Sequence, residues 1–228
     1  MVRSAAASRV SSHEATDGIE GMEECMDAPT IDFWISIGST YSYLSVMRID
    51  DVAKANGIKF RWRSFSVRAI MIEQNNIPFR DKPIKMNYMW RDIERRAQMY
   101  QLPARLPAPY PLREFDLANK VAIVGANTDW GKAYIQAAYR RWFQEGQEPG
   151  SEPNLSDSLR EAGQRPEAII EQARSESIER RYQQATLEAK LLGIFGSPTF
   201  AVNGELFWGD DRLDDAIDWL RHGRVQSR

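Results

Sequence analysis

Ser39 and Ser42 follow an apolar run and precede an amphipathic segment. Redox proteins place two reactive cysteines at this spacing in a turn from strand to helix, but hydroxyls cannot cycle electrons. A hydroxyl at the first turn of a helix can instead donate to a bound thiolate and lower its pKa, because the free N–H groups there create a positive potential. The simpler alternative is that Ser39 is an ordinary N-cap.

Composition restricts the kinds of ligand. The 228 residues include 30 basic and 32 acidic side chains, which gives no reason to expect nucleic acid or an anionic membrane surface as a partner. One cysteine and two histidines exclude a disulfide framework and leave little for a metal site. No apolar run approaches the roughly 18 residues of a membrane helix. We expect a cytoplasmic protein that binds small molecules, with no metal and no membrane.

Residues 1–29 are rich in Ser, Ala, Glu and Gly and contain almost no large apolar side chains. Such a segment cannot offset its ordering entropy by burial, so we predict a disordered tail. Cys25 is then expected to be inert. Met26 is a candidate initiator, and a chain that starts there should melt and turn over like the full chain.

Two strand patterns flank a helical one near the start of the ordered region. Apolar side chains alternate from Ile31 to Ile37, and Gly38 lets the chain turn. A helix capped by Ser39 is predicted to end near Gly57, and residues 58–65 read as a second strand. This β-α-β unit predicts a parallel pair of strands.

The middle of the chain is predicted to be helical and its end to return to strands. Helices are predicted from Pro83 to before Pro103 and over residues 115–127, 130–145, 155–162 and 175–192. Asn203 and Gly204 then favour a hairpin between strands 199–202 and 205–207, followed by a helix that ends at Gly223. The order predicts an α/β, thioredoxin-like fold: residues 30–66 and 193–222 form that domain, and residues 67–192 an all-helical insertion.

Four segments carry a resemblance to a known family: residues 33–44, 76–78, 193–200 and 207–213. In this order they resemble the 2-hydroxychromene-2-carboxylate isomerases, which are relatives of kappa-class glutathione transferases in the DsbA-like group. The resemblance covers about residues 31–220. It implies glutathione as cofactor and a homodimer.

The resemblance also implies roles for Ser39, Pro198 and Ser197. Ser39 would stabilise the thiolate of glutathione rather than act as a nucleophile. Pro198 resembles the cis proline that faces the reactive turn, where it exposes the backbone of Ser197 to the cysteinyl part of glutathione. A strand-start proline is the alternative. Thr40 stands where the family often has proline.

Three further residues are implied to bind glutathione. Asp210 and Asp211 match the family's pair at the γ-glutamyl end, where a carboxylate binds the ammonium and backbone amides bind the carboxylate. Both are also explained as acids near a helix start. Asn76 matches an asparagine near glutathione but also suits a turn, and Asn75 replaces a family glycine.

The helical region offers substrate-binding candidates of a weaker kind. Lys85, Tyr88 and Arg91 stand three apart on one helical side and would suit an anionic aromatic acid. A solvated helix face explains them equally well. Trp34, Trp62 and Trp90 fit the core better than a ligand platform.

The function favoured is a glutathione-dependent isomerase acting on a carboxylated, conjugated aromatic compound by thiolate addition, rotation and elimination. A kappa-like transferase would use the same thiolate but consume glutathione stoichiometrically. A non-catalytic thioredoxin-like binding module would show no affinity for glutathione. A disulfide oxidoreductase is disfavoured because Ser39 and Ser42 replace the cysteines.

Overall fold

The structure is a computed structural model that describes Met1, residues 28–79 and residues 81–226. Most of the predicted tail, including Cys25 and Met26, lies outside these ranges. The four strands are Thr30–Ile35 (β1), Lys59–Ser64 (β2), Thr199–Val202 (β3) and Glu205–Trp208 (β4). The helices are Ser42–Val46 (α1), Ile49–Asn56 (α2), Val67–Glu73 (α3), Pro83–Met99 (α4), Phe115–Val124 (α5), Asp129–Arg140 (α6), Asn154–Glu161 (α7), Pro166–Ala173 (α8), Glu176–Leu191 (α9) and Leu213–His222 (α10).

The strands form one mixed sheet in the order β2-β1-β3-β4. β1 pairs with β2 in parallel, whereas the β1–β3 and β3–β4 pairs are antiparallel. The predicted β-α-β unit and the C-terminal hairpin are therefore confirmed. Asn203 and Gly204 have φ angles of 51° and 84°, the left-handed values that the hairpin turn requires. β1 ends at Ile35 rather than Ile37, and Trp34 is as fully buried as Phe33, so both faces of β1 are covered.

Several predicted helices differ from those found. The helix predicted after Ser39 is two helices, α1 and α2, separated at Met47 and Arg48. α3 and α8 were not predicted: α3 is rich in β-branched residues, which favour strands, and α8 is a short helix of eight residues without a side-chain N-cap bond. α6 continues into a π-helical turn, Arg141–Glu145, and a short 3₁₀ turn, Asp210–Arg212, precedes α10.

The sheet and the helices between β2 and β3 share one continuous hydrophobic core. Phe33 stacks on Phe200 within the sheet, with ring centroids 5.2 Å apart. Tyr43 of α1 stacks on Phe143 of the π-helical turn at 4.2 Å. The helical region thus packs directly against the element that follows β1. Within the described ranges, no helix combines the length and apolar character needed to cross a membrane.

Candidate active site

The turn between β1 and α1, residues 36–41, is the centre of the candidate site. Gly38 has a φ of 120°, which L-residues with a side chain rarely adopt. A Cβ atom at this position would lie 2.7 Å from Cε2 of Phe115, a buried residue of α5. The turn therefore needs glycine both for its conformation and for the close approach of the Phe115 ring.

Ser39 is half-buried on this turn, and its Oγ donates to the carbonyl of Ser197 at 2.5 Å. The Ser197–Pro198 peptide is cis, as the resemblance implies. The alternative prediction that Ser39 caps a helix is wrong: α1 begins at Ser42, and its N-cap is Tyr41 with no side-chain cap bond. The hydroxyl instead points across the turn to the backbone beside Pro198.

Behind Ser39, three buried serines link the turn to the cis-proline loop. Ser42 Oγ lies 3.0 Å from Ser197 Oγ, which also accepts from the backbone N–H of Ser36 at 2.9 Å. All three side chains are at most 8% exposed. Ser42 therefore supports the loop from inside, whereas Ser39 faces the partly open side.

Two side chains of the helical region hold the same turn, and the sequence did not reveal them. Asn119 of α5 accepts from the N–H of Ile37 and donates to its carbonyl, both at 2.8 Å. Tyr139 of α6 donates to the carbonyls of Ser36 and Ser39 at 3.2 and 3.1 Å. Burial raises the pKa of the Tyr139 hydroxyl, so it remains a proton donor at neutral pH. We refer to Asn119 and Tyr139 as the turn clasp.

Asp210 is buried and pairs within the protein, and its predicted role in binding glutathione stays a prediction. The side chain is only 1% exposed, and Oδ1 accepts from Ser45 at 2.8 Å and from Arg48 at 3.1 Å. Arg48 also donates to the backbone carbonyl of Asp210 at 3.2 Å, and its guanidinium lies 4.1 Å above the ring of Tyr100. Asp210 thus fixes the 3₁₀ turn that carries Asp211.

Asp211 is the exposed member of the acidic pair, with 43% of its side chain accessible. Its Oδ2 lies 4.0 Å from Nη2 of Arg96 in α4. Arg96 donates through Nε to Asp92 at 3.2 Å, and Asp92 also accepts from the hydroxyl of Tyr41 at 3.1 Å. A chain of polar contacts therefore connects Asp211 to the reactive turn. No sequence pattern pointed to Arg96, Asp92 or Tyr41.

Hydrogen bonds set the charge states of the residues in this series of polar contacts. Although burial opposes ionisation, bonds from Tyr41, Arg95 and Arg96 lower the pKa of Asp92, which is therefore a carboxylate at neutral pH. Burial and the neighbouring Asp92 raise the pKa of the Tyr41 hydroxyl. Tyr41 therefore keeps its proton and donates a hydrogen bond to Asp92. Arg96 consequently pairs with a fixed negative charge.

An aromatic groove of about 560 Å³ lies between α4 and the connector before α5. Trp90 and Tyr110 form part of its walls, with ring centroids 6.1 Å apart, and Arg105 supplies a positive charge at its edge. Of the three tryptophans assigned to the core, Trp34 is fully buried and Trp62 packs edge-on against Phe33, but Trp90 lines this groove.

Arg68 lies between the connector before α5 and the residue that packs on the reactive turn. Its guanidinium lies 4.4 Å over the ring of Phe115, the residue that packs on Gly38, and it donates to the carbonyl of Leu112 at 3.1 Å. Burial raises the pKa of the Tyr110 hydroxyl, and the charge of Arg68 opposes this rise. A half-buried cation thus contacts both the connector before α5 and the residue that packs on Gly38.

The remaining predicted residues lie apart from these contacts. Lys85 and Tyr88 line a separate shallow depression with residues 81–84, and Arg91 is exposed and pairs with Glu94. Asn76 is exposed in the loop after α3, and its N–H donates to the carbonyl of Met71 at 2.8 Å. Asn75 has a φ of 51°, a left-handed conformation that asparagine tolerates, so it can stand where the family has glycine.

Comparison with known proteins identifies the family of this chain. The family model for the DsbA-like thioredoxin domain matches residues 30–220. The chain therefore belongs to the DsbA-like thioredoxin family.

Two relatives and one solved structure resemble this chain over most of its length. The chain is 29% identical to a 2-hydroxychromene-2-carboxylate isomerase of Sphingobium xenophagum, over 84% of this chain and 97% of the relative. It is 24% identical to glutathione S-transferase kappa 1 of Caenorhabditis elegans, over 85% of this chain and 91% of the relative. A solved 2-hydroxychromene-2-carboxylate isomerase superimposes with a TM-score of 0.73 at 26% identity, covering 81% of this chain and 91% of the other. The resemblance to these isomerases is confirmed.

Proposed function

We propose that this protein is a glutathione-dependent isomerase acting on a carboxylated, conjugated aromatic compound similar to 2-hydroxychromene-2-carboxylate. The observation that carries the proposal is the Ser39 hydroxyl, which is directed at the Ser197 carbonyl beside a cis proline with no cysteine at either turn position. The names of the relatives with similar sequences support the same reaction class.

The described residues fit glutathione as a ligand. A thiolate needs a hydrogen-bond donor, which Ser39 provides, and an extended peptide needs backbone partners, which the segment before Pro198 can supply. A free α-ammonium needs a carboxylate, and Asp211 is accessible. When bound, glutathione supplies a thiolate that adds to a polarised double bond and leaves again after rotation about the resulting single bond.

The protein's own contribution is to stabilise charge and fix geometry. Ser39 turns its O–H from the Ser197 carbonyl to the sulfur and so favours the ionised thiol. The turn clasp keeps Ser39 in place because it satisfies the backbone on both sides of Gly38. Residues of α5, α6 and the cis-proline loop therefore organise one reactive hydroxyl.

On the substrate side, we propose that the aromatic groove receives the ring system and that Arg68 pairs with the carboxylate. The bidentate fork of an arginine suits a carboxylate, and the Phe115 ring already fixes this guanidinium. Lys85, Tyr88 and Arg91 are retained as weaker candidates at the outer face of α4, and Asn76 as a candidate for glutathione.

We further propose a homodimer, in line with the resemblance. Exposed apolar side chains at the end of α9 and on β4 support this, notably Leu191 and the paired rings of Phe195 and Trp208. Light scattering at several protein concentrations would measure the mass, and a monomer at all of them would contradict the proposal.

The decisive test of function measures glutathione while substrate is converted. An isomerase should convert many equivalents of 2-hydroxychromene-2-carboxylate, or a related aromatic acid, for each glutathione present, and the free thiol concentration should stay constant. Stoichiometric loss of thiol with a stable conjugate would show a transferase. If calorimetry detects no binding of glutathione, the result would contradict both enzymatic functions and favour a non-catalytic thioredoxin-like binding module.

A further inference from the structure

The two residues that follow Ser39 both contact α4 through their side chains. Thr40 Oγ1 donates to Sδ of Met89 at 3.0 Å, and the Tyr41 hydroxyl donates to Oδ2 of Asp92 at 3.1 Å. Met89 and Asp92 are three residues apart, so they lie on the same side of the helix. We refer to these two contacts as the α4 latch. The reactive turn is therefore joined to one particular face of α4.

The same helix forms a wall of the aromatic groove. Met86 and Trp90 line the groove, and Trp90 directly follows the latch residue Met89. Thr40 and Met89 are at most 4% exposed, so their contact is shielded from water. A rotation or shift of α4 would thus move the Trp90 ring relative to Ser39.

The Tyr41–Asp92 contact is the stronger half of the latch. Burial acts against ionisation of Asp92, yet its hydrogen bonds lower its pKa, so the acceptor is charged. A hydrogen bond to a charged acceptor is about twice as strong as a neutral one, whereas the thioether of Met89 is a weak acceptor. The Thr40 contact is particular to this chain, since the proline that the family often has at this position carries no hydroxyl.

We propose that Tyr41, assisted by Thr40, is a positioning residue that holds the aromatic groove at a fixed distance from the sulfur bound by Ser39. Tyr41 acts through Asp92, which fixes α4 and with it the Trp90 wall. This inference rests on the proposed function. It gives neighbouring residues separate tasks: Ser39 stabilises the thiolate, and Thr40 and Tyr41 align the substrate ring with it.

Misalignment should lower turnover rather than the reactivity of the thiol. A displacement of about 1 Å between reacting groups can cost about a hundredfold in rate. Loss of the Tyr41 hydroxyl should move α4 by less than this, because Met89, Ile93 and Ala97 still anchor the helix in the core, so we expect a fall of about tenfold in kcat. The thiolate should be unaffected, since it depends on Ser39 and the turn clasp.

The test compares two reactions of the full-length protein with bound glutathione. Turnover of 2-hydroxychromene-2-carboxylate requires the groove, whereas iodoacetamide, measured with protein in excess over glutathione, alkylates the bound thiolate without it. Tyr41→Phe, which removes only the hydroxyl, should lower kcat about tenfold and leave both the alkylation rate and the affinity for glutathione unchanged. Thr40→Val should show a smaller loss of the same kind. Thr40→Ser, which keeps the donor, should behave like wild type.

Tyr182→Phe is the matched control. Tyr182 donates to Oδ1 of Asp116 at 3.2 Å, which is the same kind of phenol–carboxylate bond between α9 and α5, and neither residue lines the groove. This variant should leave both reactions unchanged.

The outcomes separate this inference from the proposed function. A wild-type kcat in Tyr41→Phe, or an equal fall in turnover and alkylation, would overturn this inference and leave the proposed function in place. If Tyr41→Phe does not fold, a wild-type kcat in Thr40→Val would overturn it instead. A wild-type protein that does not bind glutathione, or does not convert the substrate, would overturn the proposed function together with this inference.

Discussion

Replacing the Ser39 hydroxyl isolates the one contact that the mechanism requires. In the structure this O–H donates to the neutral carbonyl of Ser197. With a thiolate bound, the same O–H would donate to a charged sulfur. Ser39→Ala removes only this exchange, because the turn itself is held by Asn119 and Tyr139 rather than by Ser39.

The size of the effect follows from the difference between the two hydrogen bonds. A bond to a charged group contributes about 1.5–3 kcal/mol, and a neutral one about 1 kcal/mol, so the exchange favours the thiolate by roughly 0.5–2 kcal/mol. One pKa unit corresponds to about 1.4 kcal/mol. The pKa of bound glutathione should therefore rise by about one unit in Ser39→Ala, and turnover should fall about tenfold at a pH below both values.

The pH dependence gives the sign of the effect. A thiolate forms as pH rises, so wild-type turnover should increase as pH passes the pKa of the bound thiol. In the variant, the same increase in turnover should occur about one pH unit higher. The ratio of the two rates should shrink once pH exceeds both values. Absorbance near 240 nm of the glutathione complex, titrated with pH, measures the thiolate directly.

Ser42→Ala is the matched control, since Ser42 is buried and contacts Ser197 Oγ instead of facing the ligand. It should lower the melting temperature but leave the thiolate titration where it is. If the titration curves of Ser39→Ala and wild type coincide, Ser39 does not stabilise the thiolate, and the catalytic assignment must move to another donor.

Three further substitutions examine the same turn. Ser39→Cys should create a low-pKa thiol that iodoacetamide alkylates quickly, whereas Ser42→Cys, being buried, should react slowly; similar rates would argue against an open reactive turn. Gly38→Ala should lower both the melting temperature and kcat, because its Cβ collides with Phe115 and its φ is unfavourable; a wild-type melting curve would show that the turn adapts. Tyr139→Phe should cost about 1–3 kcal/mol of stability in urea unfolding, since two turn carbonyls lose a donor, and an unchanged midpoint would exclude this role.

The sequence correctly predicted the elements whose conformation depends on neighbouring residues, such as turns and helix caps. The hairpin at Asn203 and Gly204 follows from the need for positive φ, and the last helix of the insertion begins as expected, with Ser175 accepting from the N–H of Ile178. The split between α1 and α2 was not visible, because residues on both sides of it have helical spacing. Only tertiary packing shows where such a helix breaks.

The parts of the site that escaped prediction depend on pairs that are distant in the chain. Arg48 and Asp210 are 162 residues apart, and Asp210 is equally reasonable as an acid at a helix start. No sequence pattern linked Arg96 to Asp211 either. Asn119 did carry a signal, since it is a polar residue within the apolar face of α5, which usually means a specific buried partner.

The turn clasp has a consequence for how such enzymes can be diversified. Because Asn119 and Tyr139 hold the reactive turn from α5 and α6, these two helices cannot be exchanged as a neutral module. A chimera that receives the helical region of another family member should keep its chemistry only if it retains an amide and a phenol at these two positions. Specificity can therefore change at the groove-lining positions of α4 and in the connector before α5, while α5 and α6 are constrained by the hydroxyl that they help to place.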